Sequence, residues 1–337
     1  MRVGSIVLAT HQGLGVLAKD FHDNGIVDEV LIKHSTRFKN NLEWYPAGKT
    51  ICENAGDFQT NILKKDQATV VNFLSKIDVL LLFEIPFVSE IIPLARTMGV
   101  KIAMMPMYEC TPYPQDTDIF LCPSELDLDV YRSLYPDKKC ILAQVPVPRS
   151  IEWKQRTKAN VFVHNAGNGG TYERNGTKEL IQAMRYVKSS VELVIRTQKH
   201  DFISDDNRIV IHKGTIPYEE LWKAGDVFIF PEKFNGLSLP IQEAYASGMM
   251  IMTSDRHPNN KYLPTEPLIP TAGSTKTKIV NVDFDIYSLN PEDIAAKIDE
   301  WHGKDITEYS KKGKEWGENN SWDVLAEFYK KTLTEIL

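Results

Sequence analysis

Short apolar runs alternate with helical patterns from the first ten residues to the C-terminal region. The clearest run, Val79–Phe83 (VLLLF), contains no polar position, as is typical of a strand buried on both faces of a parallel sheet. Helical segments lie between such runs, for example Asp66–Lys76 and Val88–Met98, and Gly99 stands where the latter helix is expected to end. This alternation predicts parallel sheets with helices on both faces.

The pattern divides the chain into two α/β halves. The segment 145–148 (VPVP) is extended, because each proline restricts the residue before it, and it predicts a domain end near residue 150. The first half contains the predicted strands Ser5–Ala9, Val27–Ile32, Val79–Phe83, Lys101–Met105 and Ile119–Cys122. The second half contains the predicted strands Val161–His164, Val191–Arg196, Arg208–His212, Val227–Phe230 and Met249–Thr253, and the predicted helices Lys178–Val187, Tyr218–Ala224 and Pro240–Ser247.

The remaining C-terminal sequence has two parts. Leu263–Lys278 is rich in Pro, Thr and Gly and is predicted to be a surface loop, whereas Pro291–Leu337 is predicted to be helical. Two doubly wound halves in tandem predict a ligand site in the cleft between them.

Composition is that of an ordinary soluble globular protein, with 42% hydrophobic and 25% charged residues among 337. At about 150 residues per domain, this length favours two domains. The formal net charge of −6 gives no general attraction to nucleic acid or to an anionic membrane. The first apolar run is too short for a signal peptide, and no run approaches the roughly 20 apolar residues of a membrane span. We therefore expect a soluble, cytoplasmic protein without a transmembrane segment.

The segment from Val227 to Asp255 carries the strongest chemical signal. A strand ends at Pro231, a loop of seven residues (EKFNGLS) follows, and Pro240 then stands where a helix begins. Free N–H groups at a helix start, together with the helix dipole, favour a diphosphate, and Gly236 permits close backbone approach. Glu243, near the start of this helix, suits hydrogen bonding to the vicinal hydroxyls of a ribose, or else complements the helix dipole.

This block resembles the C-terminal signature of GT-B glycosyltransferases, close to glycosyltransferase family 4. The resemblance spans Pro231 to Gly248 and includes the stretch NGLSLPIQEAYASG that begins at Asn235. It implies that Glu243 is the second acid of the family's Glu-x7-Glu motif and binds the nucleotide ribose. The first acid, which in the family contacts the donor sugar and is often assigned a catalytic role, is replaced by Asn235. Asparagine keeps the size and an acceptor oxygen but loses the charge.

Two further segments extend the resemblance over most of residues 160–337. The stretch His212–Leu221 resembles the family's "Gly-x-Val, then helix" element, whose loop lies near the nucleotide base. The stretch Asn320–Asp323 (NSWD) resembles the terminal signature that opens a helix crossing back to the first domain. The implied architecture is two Rossmann-like, doubly wound domains facing across a cleft. We expect an acceptor-side domain at 1–150, a nucleotide-sugar domain at 151–320, and a C-terminal helix at 321–337.

Cations for the diphosphate are expected on the loop after the strand Val161–His164. This loop contains Gly167, Gly169 and Gly170, which give phosphate groups access to the backbone. The family's lysine aligns with Asn175, so the resemblance implies that Arg174 substitutes for it. Arg196, at the end of the next strand, is a second candidate, because strand ends line the ligand crevice in such sheets. A surface ion pair is the alternative for each arginine.

The first half offers fewer candidates. Gly13 and Gly15 follow the first strand and resemble the family's glycine-rich loop that faces the donor diphosphate. Glu109 follows the fourth strand, near the place where the family often has a histidine, and we interpret it as an acceptor-side catalytic residue. Glu84 is a similar acid at the end of the third predicted strand. Buried structural ion pairs are the alternative for both acids.

We expect a glycosyltransferase, of hexosyl or pentosyl type, that moves a sugar from a nucleoside-diphosphate sugar to an unidentified acceptor. The acceptor classes left open are a glycan, a lipid, a small molecule or, disfavoured by the acidic charge, modified DNA. The expected catalytic residues are Arg174, Asn235 and Glu109, and the expected donor-binding residues are Gly13, Gly15, Arg174, Arg196, Asn235, Gly236, Leu237, Ser238 and Glu243.

The resemblance implies retention of anomeric configuration and no bound metal, and no cofactor is expected. The four cysteines are scattered without a C-x-x-C pair, so a zinc or redox site has little support. Two alternatives stay open: a nucleotide-sugar epimerase of GT-B architecture, and a non-catalytic nucleotide-sugar binding protein, which the asparagine at position 235 and the missing lysine would suit.

Overall fold

The structure is a computed structural model that describes residues 1–56, 59–110, 116–167, 173–262, 267–279 and 282–337. Gly169 and Gly170 of the predicted phosphate loop, and residues 263–266 of the predicted surface loop, lie outside these ranges. The chain divides into two compact units, one formed by Met1–Val145 with Trp322–Leu337 and the other by Pro146–Ser321. No helix in the described ranges is both long and apolar enough to cross a membrane.

Unit 1 is built on a seven-stranded sheet whose strands run in the order β3-β2-β1-β4-β5-β6-β7. Each neighbouring pair is parallel. The strands are β1 (Val3–Val7), β2 (Glu29–Lys33), β3 (Lys49–Ile51), β4 (Val79–Glu84), β5 (Lys101–Pro106), β6 (Ile119–Cys122) and β7 (Lys139–Leu142). The helices are α1 (Gly13–Asp23), α2 (Gln67–Leu74), α3 (Ile91–Thr97), α4 (Glu125–Leu134) and, from the C-terminus, α10 (Trp322–Thr334).

The C-terminal helix α10 completes the core of unit 1. Its Trp322 and Tyr329 rings lie edge-on to Phe21 of α1, with centroids 5.0 and 4.8 Å away. The Tyr329 hydroxyl also donates to the carbonyl of Gln144 over 2.8 Å. Aromatic pairs in this geometry stabilise a core beyond the area they bury, so α10 is an integral part of unit 1.

Unit 2 is built on a six-stranded parallel sheet in the order β10-β9-β8-β11-β12-β13. The strands are β8 (Val161–Gly167), β9 (Glu192–Thr197), β10 (Ile209–Lys213), β11 (Val227–Phe230), β12 (Met250–Ser254) and β13 (Leu268–Ile269). The helices are α5 (Thr177–Ala183), α6 (Leu239–Ala246), α7 (Asn259–Tyr262), α8 (Pro291–Trp301) and α9 (Thr307–Asn319). An antiparallel hairpin of β14 (Thr271–Ile279) and β15 (Val282–Leu289) stands apart from this sheet.

The predicted helix Tyr218–Ala224 is wrong: only a 3-10 turn forms there, at Tyr218–Glu220. Its carbonyls have other partners, because Arg196 donates to the carbonyl of Leu221 and Arg156 donates to that of Trp222. Side chains from β9 and from the segment before β8 thus replace the helical hydrogen bonds of this connection.

The prediction of a surface loop over Leu263–Lys278 is also wrong for its described part, which contains β13 and most of β14. The hairpin is stabilised by charge pairs between its two strands, which the composition of the segment does not reveal. Lys276 lies opposite Asp285, and Lys278 lies opposite Asp283, so opposite charges face each other across the two strands.

Strand order determines where each unit is expected to bind a ligand. In unit 2 the order reverses between β8 and β11, which lie side by side, while the chain continues from β8 to β9 on one side and from β11 to β12 on the other. Ligands of open parallel sheets bind outside the carboxyl ends of the strands at such a switch point. The loops that follow β8 and β11 therefore form the candidate site of unit 2.

Candidate functional site

The loop between β11 and α6 presents unengaged polar groups at the switch point. Ser238 is the N-cap of α6, and Pro240 lies in its first turn. Within the described residues, no hydrogen bond engages the N–H groups of Gly236, Leu237 or Leu239. The buried hydroxyl of Ser238 likewise has no partner there. Unpaired donors at a helix start, supported by the helix dipole, are suited to a phosphate.

A buried polar network lies beneath this loop. Arg256 and Glu232 form an ion pair with side-chain exposures of only 1% and 0%. Arg256 also donates to the backbone carbonyl of Asn235 over 3.0 Å, and the Asn235 amide donates to Glu232 over 3.1 Å. Asn259 donates to the same Glu232 carboxylate over 3.1 Å. Asn235 is thereby held on both its backbone and its side chain.

Glu232 and Arg256 are not among the site residues predicted from the sequence. They stand 24 positions apart, and the adjacency of β11 and β12 brings them together. One signal was present: each is a charged residue that comes within two positions of the end of a buried strand. A charge at such a place is expected to be paired when it is buried.

Glu243 is buried, just beyond the first turn of α6. The indole N–H of Trp222 donates to its carboxylate over 3.1 Å. Arg196, predicted as a donor-binding residue, is also buried and donates to the carbonyl of Leu221, the residue before Trp222. Two neighbouring residues of the connection from β10 to β11 therefore bind the two predicted donor-binding residues: Leu221 binds Arg196, and Trp222 binds Glu243.

A cavity of about 580 Å³ opens beside this connection. Val163 and Val194 line its apolar floor, whereas Arg196, His212 and Lys213 supply polar and cationic walls. Gly214, the glycine of the stretch His212–Leu221 that resembles the family's element near the nucleotide base, lines the cavity as well. Arg196 therefore borders a space large enough for a small ligand group.

The loops after β8 and β11 contact each other directly. The amide of Lys233 donates to the carbonyl of Arg174 over 2.7 Å. Gly176, the N-cap of α5, has a φ of +68°, and a Cβ on it would lie 2.0 Å from the carbonyl oxygen of Pro231. Only glycine fits this contact. Arg174 is consequently placed beside the loop that carries Asn235, and its own side chain is half-buried.

Asn175 occupies the position that aligns with the family's lysine. Its side-chain amide donates to the carbonyl of Ala166 over 3.0 Å and so fastens the loop to the end of β8. A different lysine, Lys233, lies nearby and forms an ion pair with Glu179 in the first turn of α5, with an N–O distance of 2.6 Å.

His164 lies inside the unit 2 sheet below these loops. It is fully buried, and its Nδ1 is 2.9 Å from the carbonyl of Ile229 while its Nε2 is 2.8 Å from the hydroxyl of Thr177. Burial lowers the pKa of the imidazole to about 4, so the ring is neutral at pH 7. Nδ1–H therefore donates to Ile229, and Nε2 accepts from Thr177, which opens α5.

The predicted residues of unit 1 lie in a separate compact unit. Gly13 is the first residue of α1, so helix begins where the family resemblance implied a loop. Gly15 lies in the first turn, where a Cβ would be 2.2 Å from the carbonyl oxygen of Thr10. That contact gives Gly15 a packing role. Donor binding by Gly13 and Gly15 stays a prediction.

Glu109 belongs to a 3-10 turn, Tyr108–Cys110, directly after β5. This turn is fastened to α4, because Asp127 accepts the amide of Tyr108 over 2.8 Å and the hydroxyl of Ser124. Burial, with the charge of Glu109 as a further cause, raises the pKa of Asp127 to about 7. Glu109 is therefore close enough to another carboxyl group to influence its titration.

Within the described ranges, no group of three or more His, Cys, Asp or Glu side chains is arranged to hold a metal ion. Cys52, Cys122 and Cys140 are buried free thiols.

Solved structures provide the comparison at the level of fold. The chain is similar to the sucrose-phosphate synthase of Thermosynechococcus elongatus, with a TM-score of 0.67 and 13% identity over 100% of this chain and 99% of that one. It is similar to Anabaena HepE in complex with UDP and glucose, with a TM-score of 0.68 and 10% identity over 99% and 100% of the two chains. A glycosyltransferase from Rickettsia africae matches with a TM-score of 0.67 and 13% identity over 99% and 98%.

No protein-family model and no curated protein sequence matches the chain. At identities of 10–13% the similarity is one of fold. The chain has the two-domain GT-B fold, and this prediction from the sequence is confirmed.

Proposed function

We propose that the protein is a glycosyltransferase that uses a nucleoside-diphosphate sugar as its donor. The observation that carries the proposal is the loop 235–238, where unengaged N–H groups and the buried Ser238 hydroxyl meet the start of α6 at the switch point of unit 2. Diphosphates bind at such helix starts. The structural similarity to Anabaena HepE, solved with UDP and glucose, supports the same class of ligand.

Each part of the donor has a proposed partner in unit 2. Glu243 accepts hydrogen bonds from the ribose hydroxyls, while Trp222 holds its carboxylate in place. The amides of Gly236 and Leu237 bind the diphosphate. Arg196 faces the cavity beside Gly214 and is proposed to contact the nucleoside side of the donor.

Arg174 is the proposed catalytic cation. Cleavage of the sugar–phosphate bond leaves negative charge on the departing diphosphate, and a positioned cation stabilises that charge as it develops. The Arg174 backbone is fixed by Lys233, so its side chain extends from an anchored position. No metal or cofactor is part of the proposal.

Asn235 is proposed to orient the donor sugar. Its amide nitrogen is engaged by Glu232, which directs the side chain and leaves the carbonyl oxygen as the acceptor for a sugar hydroxyl. Retention of anomeric configuration is proposed on the family resemblance, and Glu109 is proposed as an acceptor-side residue.

The test is a thermal-shift screen of the whole chain against UDP, ADP and GDP and their glucose conjugates, followed by an assay of nucleoside diphosphate release. A ligand that binds only the native state raises the unfolding midpoint. We expect at least one nucleoside diphosphate and its glucose conjugate to raise the unfolding midpoint. We also expect release of the nucleoside diphosphate to require an acceptor. If none of these ligands shifts the midpoint, the donor class is wrong.

The neutral side chain at position 235 gives one alternative a structural basis: a nucleotide-sugar binding protein without catalytic activity. The two proposals differ in the second assay. A midpoint shift without diphosphate release, across a panel of glycan, lipid and small-molecule acceptors, would favour the binding protein, whereas transfer to any acceptor excludes it.

A further inference from the structure

Lys233, in the loop after β11, is anchored on several sides. Its amide donates to the carbonyl of Arg174 over 2.7 Å, and its own carbonyl accepts the amide of Tyr287, in β15, over 3.0 Å. The next residue, Phe234, packs edge-on against Phe284 of the same hairpin, with ring centroids 5.2 Å apart. The backbone of Lys233 is therefore held between the β8 loop and the hairpin, two positions before Asn235.

The Lys233 side chain forms an incomplete ion pair. Its ammonium lies 2.6 Å from Glu179 Oε1, and the two side chains are 16% and 21% exposed. The other carboxylate oxygen, Glu179 Oε2, is buried with no hydrogen-bond partner in the described part of the chain. A buried carboxylate oxygen without a hydrogen-bond partner costs free energy, because it has lost its water and gained nothing in exchange. The Lys233 ammonium has three N–H donors and can therefore donate further hydrogen bonds.

Arg256, the buried cation beneath this loop, is committed to the protein. Arg256 is bonded to Glu232 and to the carbonyls of Asn235 and His257. Releasing it would leave Glu232 buried without its counter-charge, at a high cost. A lysine differs because its charge sits on a flexible stem and can change partner.

We propose that Lys233 is a second diphosphate-binding cation, which Glu179 neutralises until the donor arrives. The proposal rests on the proposed function, because the diphosphate is that of the nucleotide sugar. The ammonium exchanges the Glu179 carboxylate for a phosphate oxygen, next to the unengaged amides of Gly236 and Leu237. Lys233, in the loop after β11, then binds the same diphosphate as Arg174, which lies in the adjoining loop after β8.

The test compares two variants that share a neutral residue at position 179: Glu179→Gln, and the double variant Glu179→Gln/Lys233→Gln. Neither variant leaves a carboxylate at position 179 without its counter-charge. In the double variant, the two glutamine side chains can still form a hydrogen bond with each other. Calorimetry measures the affinity for UDP, ADP and GDP and for uridine, adenosine and guanosine, so that each nucleoside reports binding without phosphate. Lys297→Gln, which breaks the pair of Lys297 with Glu300 at 2.8 Å, is the matched control.

We expect Glu179→Gln to bind the diphosphate more tightly than the wild type, since the competing anion is gone. Adding Lys233→Gln should then weaken diphosphate binding by about tenfold, with nucleoside affinity unchanged. Lys233→Arg should retain most of the wild-type affinity, because it keeps the charge.

An equal ratio of diphosphate to nucleoside affinity in the single and double variants overturns the role of Lys233. A Glu179→Gln chain that binds the diphosphate no more tightly than the wild type overturns the exchange. If the wild type itself binds none of the three nucleotides, the proposed function fails, and this proposal fails with it.

Discussion

Trp222 donates its indole N–H to the carboxylate of Glu243 over 3.1 Å, and both side chains are buried. The contact joins the connection between β10 and β11 to α6, just beyond its first turn. It also gives the carboxylate a fixed orientation, because one of its oxygens is held by a donor on the protein. Glu243 therefore has a structural role and, in our proposal, a ribose-binding role, and the two are separable by mutation.

Glu243→Gln and Glu243→Ala separate these roles. Glutamine keeps an acceptor for Trp222, so the free energy of unfolding should stay close to that of the wild type. Alanine leaves the buried indole N–H without this acceptor, at a cost of about 1–3 kcal/mol. Both variants should bind the nucleoside diphosphate about tenfold more weakly, because neither has a carboxylate for the ribose hydroxyls.

Urea unfolding and calorimetry on the same preparations measure the two effects. Trp222→Phe is the control, since it removes the donor but keeps the Glu243 carboxylate. Unchanged nucleotide affinity in Glu243→Gln would refute the ribose assignment, even if the alanine variant bound poorly.

Arg174→Ala should lower turnover more than donor affinity. The backbone carbonyl that binds Lys233 is preserved in this variant, so the loop should keep its position. Loss of one group that stabilises developing charge typically lowers kcat by about 100-fold or more, whereas the dissociation constant of the donor should change by only a few-fold.

Steady-state kinetics and direct binding measurements distinguish these outcomes for Arg174. Arg185→Ala is the matched control, because Arg185 is an exposed arginine just beyond α5. Equal losses in affinity and turnover would assign Arg174 to ground-state binding, and no loss in either would indicate a different cation.

The side chains of Glu232 and Arg256, which form a buried ion pair, should contribute to the free energy of unfolding in a coupled way. Arg256→Met leaves Glu232 buried without its charge partner and should cost about 3–5 kcal/mol in the free energy of unfolding. The double variant Glu232→Gln/Arg256→Met removes both charges and should be less destabilised than the sum of the single variants. Additive single effects in urea unfolding would contradict this coupling.

Buried strands were predictable because burial itself makes the pattern. The predicted strands Val227–Phe230 and Ile119–Cys122 match the observed strands β11 and β6 residue for residue, because a continuous apolar run is suited to a strand that is buried on both faces of a parallel sheet. The start of α6 was predictable to within one residue from Pro240. In each case the determining interactions are local or depend only on whether a position is apolar.

Features that depend on long-range contacts were missed. The hairpin β14–β15 has few apolar residues on β14, and its charges balance only when Lys276 meets Asp285. The 3-10 turn at Tyr218–Glu220 replaces a helix because guanidinium groups from Arg196 and Arg156 bind the adjacent carbonyls. The ion pair of Lys233 with Glu179 joins the loop after β11 to the first turn of α5, and no spacing in the sequence specifies it.

Asp127 should make unit 1 less stable as the pH rises towards neutrality. Burial raises the pKa of its carboxyl from 3.8 to about 7, so the folded state holds a proton that the unfolded chain has lost. The stabilisation is fully present below pH 3.8 and is lost as the pH rises through about 7, with a slope of up to about 1.4 kcal/mol per pH unit.

Asp127→Asn tests this dependence, because asparagine keeps an acceptor for the Tyr108 amide and does not titrate. Urea unfolding of the wild type and the variant between pH 5 and 8, a range of about three units around the shifted pKa, should show a flatter pH profile for the variant. Parallel profiles would contradict the buried titration.

His164 should give unit 2 the opposite dependence on pH. Burial lowers the pKa of its imidazole from 6.5 to about 4, so the unfolded chain takes up a proton that the folded state refuses. The stabilisation is fully present above pH 6.5 and is lost as the pH falls through about 4. His164→Gln, which retains polar atoms for Ile229 and Thr177, should lose this acid sensitivity although it is less stable at pH 7.

Tryptophan fluorescence during acid titration provides the measurement for His164, because Trp222 lies in unit 2 whereas Trp44 lies in unit 1. The chain has six tryptophans, so two backgrounds are needed in which every tryptophan except Trp44, or every tryptophan except Trp222, is replaced by phenylalanine; each then reports one unit. Once the difference in stability at pH 7 between His164→Gln and its parent is taken into account, the Trp222 signal of the variant should change at a lower pH than that of the parent. The Trp44 signal should keep the same pH midpoint in both. A common shift of both signals would contradict a local effect, since the charge that His164 gains on unfolding belongs to unit 2 alone.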